Sequence, residues 1–140
     1  MSRQMQIVRA VALAADGFYG DAKKLGEVAA GCFPSSRRSQ ITGLENVAAG
    51  AIKISDVLDY VKKQVGKEAS NQPDKHIWRK DDFGVRLLEY LEKSLREQLD
   101  RLAVTPPLTD AAERQRTHLM LIREFVRQVA SHYEFSKIAS

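Results

Sequence analysis

The sequence predicts an all-α protein, a single-domain helical bundle of about five helices, and three observations lead there. Apolar residues recur at steps of three and four through five segments, and no stretch keeps the alternation of a half-buried strand. The chain has 140 residues, 44% apolar and 29% charged. That suits one domain over 1–140 with a core that needs neither disulfide nor metal.

The first helix is expected from Ser2, a candidate N-cap, to about Ala15, with Val8, Val11 and Ala12 at helical spacing, and "DGFYGD" breaks it with two glycines. A short second helix, "DAKKLGEVAAG", ends at Gly31, and "CFPSS" turns the chain because proline cannot continue a helix. Ser35 or Ser36 is then positioned to cap a long third segment. Its stripe of Ile41, Leu44, Ala48, Ala51, Ile54, Leu58, Val61 and Val65 extends toward Gly66. Ser55, Gly43 and Gly50 leave room for a restart near "KISD", so one helix or two stays open.

"GKEASNQPDKHIWRK" lacks an apolar period and reads as the main loop, a mobile segment over 66–80. Asp81 or Asp82 is expected to cap the fourth helix, whose seam is Phe83, Leu87, Leu88, Leu91, Leu95, Leu99 and Leu102. "TPPLTD" ends it, and Thr109 starts the fifth, with Ile122, Phe125, Val126, Val129 and Tyr133 on the core face. The narrow seams of the third and fourth helices also leave a homo-oligomer open.

No apolar run approaches the roughly 20 residues that cross a bilayer, so no membrane partner is expected. Arg9 interrupts the apolar opening, which therefore reads as structure and not as a signal peptide. The lone Cys32 suits a reducing compartment, and a cytoplasmic location is expected.

Standard sites are missing from the sequence. There is no GxxxxGK[ST] loop, no GxGxxG and no HExxH, and one cysteine with three scattered histidines makes no usual zinc site, so no cofactor or metal is expected. Asp81 and Asp82 are explained by capping, and Asp56 and Asp59 by ordinary helix-surface spacing, which leaves no catalytic carboxylates favoured.

The basic residues are more informative. Net charge is +4, and Arg116, Arg123 and Arg127 recur at spacings that place them within about 40° on the face opposite the core. Such a ridge can neutralise successive phosphates and release their counterions; its alternative is a solvated face balanced by Glu113 and Glu124. "SSRRSQ" sets Arg37 and Arg38 at an expected helix N-terminus, where free N–H groups favour an anion. In "DKHIWRKDD", Trp78 is flanked by Lys75, His76, Arg79 and Lys80, so the indole either stacks on a base or anchors its loop to the core.

Arg127 and His132, in "RQVASHYEF", match the R-x4-6-H pattern and resemble the motif of HEPN ribonucleases, a family of small helical bundles that commonly dimerise. The resemblance implies metal-independent RNA cleavage by these two residues. At 100° per residue they stand about 140° apart on a regular helix, so a shared cleft needs a distorted helix or a dimer partner.

"QITGLENVAAGAIKISDVLDYVKKQVGKE" and "LIREFVRQVASHY" resemble the helical small subunits of type III CRISPR effector complexes. That resemblance implies a non-catalytic subunit of an antiviral defence complex that contacts RNA or another single-stranded nucleic acid beside other protein subunits. Arg37, Arg38, Lys62, Lys63, Arg116, Arg123 and Arg127 would then include the phosphate contacts, with Trp78, Arg79 and Lys80 as a further patch. A helical protein-protein adaptor is the alternative, using Phe18, Tyr19 and Phe33 as exposed apolar residues.

Overall fold

The computed structural model describes residues 1–67 and 77–139, and every regular element among them is helical. Helix α1 (Arg3–Gly17) starts where expected, with the Ser2 hydroxyl accepting from the Met5 N–H. Its core face is Ile7, Ala10, Val11 and Ala15, whereas Val8 is exposed. The break before α2 (Tyr19–Cys32) is a single residue, Phe18, buried against Phe125, so the two glycines of "DGFYGD" lie inside helices.

Ser35 and Ser36 do not cap the next helix. They lie in a 3-10 turn, Ser35–Arg37, and α3 (Arg38–Gly50) begins with no side-chain cap. The long third segment proves to be two helices, because the chain extends at Ala51 before α4 (Ile54–Lys67). Asp56 fixes the restart: its carboxylate accepts from the Ile52 and Lys53 N–H groups, which lowers its pKa. This aspartate is therefore more than surface spacing.

The expected loop over 66–80 falls largely outside the described residues, Lys75 and His76 included, and α4 continues to Lys67. Beyond it, Lys80–Asp82 form a 3-10 turn and α5 (Phe83–Glu89) follows. Neither Asp81 nor Asp82 caps it. Both adopt positive φ, 51° and 57°, a left-handed turn that aspartate tolerates, and the Gly84 N–H finds the Trp78 carbonyl instead. A π-turn, Tyr90–Ser94, joins α5 to α6 (Leu95–Asp100), and the expected leucines line the inner side of this rod.

The last helix, α7 (Ala111–Ala139), is capped by Asp110 and not started by Thr109: its carboxylate accepts from the Glu113 N–H. Nearby, Arg3 joins α1 to the loop before α7, pairing with Glu113 and donating to Pro106 and Pro107 carbonyls. Helix α7 is the central rod. Its inner side packs on α2, and α1, α3 and α6 flank it. At Gly26 a Cβ would lie 2.6 Å from the His132 Cβ and 2.8 Å from the Val129 carbonyl, so hydrogen there lets the α2 and α7 backbones close up. The core is one cluster of aliphatic residues with Phe33 at its aromatic hub, touching Trp78, Phe83 and Tyr133 edge-on.

Candidate nucleic-acid interface

The outward side of α7 forms the floor of a trough between α1 and α3. On the α1 side a groove of about 490 Å3 is walled by Val8, Ala12, Ala15 and Asp16 and floored by Met120, Arg123 and Arg127. A second, of about 440 Å3, continues toward Gln4, Ile52 and Arg116. A third, of about 340 Å3, lies on the α3 side between Glu45, Ala48, Ala49 and the same Arg123 and Arg127. Small alanine side chains keep both walls low, so the floor stays open to solvent.

The three ridge arginines share this floor but not a role. Arg116 is exposed, and Glu113, one turn before it, is held by Arg3. Arg127 is also exposed and pairs with Glu124 of its own helix. Arg123 turns toward α3: its guanidinium donates to the Ala48 carbonyl at 3.0 Å and the Ala51 carbonyl at 2.5 Å. Helix ends leave such carbonyls without partners, so Arg123 closes the C-terminus of α3 and is not a free phosphate contact.

Carboxylates stand beside the arginines on both walls. Burial and the neighbouring Glu134 push the Glu45 carboxyl up, while Arg127 pulls it down. The first and third grooves each carry two acids beside Arg123 and Arg127: Glu45 and Glu124 on the α3 side, Asp16 and Glu124 on the α1 side.

The other sequence candidates are spread over the molecule. Arg38 reaches Glu134 at 3.1 Å, seven residues beyond Arg127 and so on the same side of α7. Arg37 beside it is exposed. Lys62 and Lys63 lie on α4, where Lys62 faces Glu92 of the π-turn at 3.7 Å, away from the trough. Trp78 is 1% exposed, its Nε1 donates to Gln40 at 3.0 Å, and its ring meets Phe33, Tyr60 and Phe83. It anchors the chain and presents no face for a base. Arg79 donates to the Val65 carbonyl, and the exposed Lys80 follows it.

Arg127 and His132 do not meet within the chain. Helix α7 runs unbroken through both; Arg127 faces the trough, while His132 packs edge-on against Tyr19 of α2 with its Nε2 buried. Of the apolar residues expected on the outside, Phe18 and Phe33 are buried, at 1% and 0% exposure, and only Tyr19 is exposed. Burying the rings of two short turns is what closes the core around α2.

Two polar residues are buried where the sequence reading placed no structural role: Gln128, the polar residue after Arg127 in the HEPN-like match, and His118. Gln128 is 7% exposed and its amide donates to the Ala15 carbonyl at the end of α1. His118 is buried against the π-turn, with Nε2 2.8 Å from the Leu91 carbonyl. Both sit on the apolar stripe of α7, where periodicity marks burial but does not distinguish a capping amide from a packing residue.

Among the described residues no three His, Cys, Asp or Glu side chains converge as metal ligands would, and no helix is long and apolar enough to cross a membrane. Fold and surface define a helical bundle with one mixed basic and apolar trough. No protein-family model matches the chain, and neither a curated protein nor a solved structure does.

Proposed function

We propose that the protein is a non-catalytic subunit that holds the backbone of a single-stranded nucleic acid along the α7 trough within a larger complex. The observation that carries this reading is the open floor with exposed Arg116 and Arg127 at its two ends, held rigid because Arg123 between them ties α7 to α3. Exposed ion pairs contribute little, so Arg127 exchanges Glu124 for a phosphate at small cost. Arg37 and Arg38 extend the same side. The resemblance to small subunits of type III CRISPR effector complexes agrees with a backbone-holding role.

The test is the affinity for a labelled single-stranded RNA across a salt series in chelator, with the RNA then run on a denaturing gel. Each phosphate contact contributes about 0.7 to the slope of log affinity against log salt. Replacing Arg116 and Arg127 together with alanine is expected to reduce that slope by about 1.4, with unchanged melting and intact RNA. An unchanged slope overturns the trough as the interface, and cleavage that depends on His132 returns the HEPN-like reading.

A protein-protein adaptor is the second reading, and one observation favours it: Met5, Val8 and Leu13 leave α1 with exposed apolar side chains beside the trough. Absence of RNA binding at low salt would favour it over the first.

A further inference from the structure

Apart from the trough, and sharing no residue with it, a groove of about 340 Å3 opens between the start of α4, α6 and the first turns of α7. His118 lines it and is 5% exposed. A carbonyl only accepts, so the 2.8 Å contact with Leu91 puts the imidazole proton on Nε2 and leaves Nδ1 as a lone pair. The hydrogen bond of the ring among the described residues is the one through Nε2. Nδ1 is not among the buried atoms left without a partner, so this edge of an otherwise buried ring is open to the groove that His118 lines.

The charges around that ring favour an anion. Arg96 of α6 is exposed and forms no ion pair among the described residues. Arg114 of α7 donates to Leu108 and to the Asp100 carboxylate. Asp110 is occupied with the Glu113 N–H, α4 contributes the apolar Ile54, and Thr109 and Gln115 add neutral polar atoms. Arg96 and Arg114 are the charges that act on the imidazole, and both oppose its protonation. The groove thus combines two guanidinium groups with one acceptor open to a donor.

The geometry points to this groove as a binding site for a phosphate monoester or hydrogen phosphate, whose charged oxygens accept from Arg96 and Arg114 while one proton is shared between a phosphate oxygen and His118 Nδ1. Phosphate suits because a monoester's second ionisation lies near pH 6 and that of inorganic phosphate somewhat higher, so either brings that proton near neutrality. Sulfate has the same shape and no proton to bring, and an internal phosphodiester has none either.

The experiment is titration with inorganic phosphate and then sulfate at about pH 6.5, in an otherwise phosphate-free buffer, following the His118 imidazole by nuclear magnetic resonance. Saturable phosphate binding is expected, with sulfate and the Arg96→Ala variant each about tenfold weaker. Arg96 is exposed, so Arg96→Ala should melt as the parent does. An oligonucleotide with a terminal phosphate that binds more tightly than its dephosphorylated form would place the group at a strand end. A nucleoside monophosphate that matches inorganic phosphate would make it a free small molecule. No saturation by about 10 mM phosphate, equal affinity for sulfate, or no loss in Arg96→Ala overturns the site, whatever the RNA titration of the α7 trough shows.

Discussion

Arg123 and Arg127 are four residues apart on one helix face, yet they have opposite jobs. Arg123 satisfies two carbonyls at the end of α3, and Arg127 meets solvent and one neighbouring carboxylate. Arg123→Ala should destabilise the fold by about 1.5–3 kcal/mol, the range for hydrogen bonds from a charged group. Arg127→Ala should stay within about 0.5 kcal/mol, since exposed pairs contribute little. Urea unfolding of the two variants checks this, and equal midpoints would contradict the capping role. His118 adds a pH dependence. Burial, reinforced by Arg96 and Arg114, holds its pKa below the ordinary 6.5. The unfolded chain therefore takes up a proton at a pH where the folded one does not. Stability from this residue is intact above 6.5 and is lost as pH falls toward the folded value. Unfolding midpoints from about pH 7.5 to 5 in phosphate-free buffer should drop less steeply in His118→Gln than in the parent.

At the scale of elements, two local features hold the bundle in register. The π-turn at Tyr90–Ser94 brings the Leu91 carbonyl to His118, and such turns commonly free a backbone acceptor. In the same turn Tyr90 stacks on Phe125 and donates to Asp21 at 2.7 Å, so it links the α5–α6 rod to both α7 and α2. The second feature is the close approach of α2 to α7 at Gly26. Gly26→Ala would drive a methyl against the Val129 carbonyl, which is backbone and gives way little. Despite alanine's better helix propensity, the variant should lose about 1–3 kcal/mol. A thermal melt at or above that of the parent would show that the two helices separate without cost.

For the whole molecule, the sequence determined the all-α class, the existence and inner faces of the later helices, and the proline turn after α2. Repeating leucines at helical steps leave few other ways to bury apolar surface. Ile122, Phe125, Val126, Val129 and Tyr133 are all buried as their spacing implies. The candidate site was legible only as a set of arginines. Spacing along α7 placed Arg116, Arg123 and Arg127 on one side, but which of them is free depends on where α3 ends, and Arg123 was taken by the carbonyls of Ala48 and Ala51. Trp78 was drawn into the core by Phe33, Tyr60 and Phe83, residues distant in sequence. His118 was one of three scattered histidines until the π-turn on another helix gave it a partner. Periodicity is a property of one helix and reports which side is buried. Hydrogen bonds and charges between helices depend on how the rods pack, and only the tertiary structure decided which polar groups were spent on the fold and which were left facing solvent.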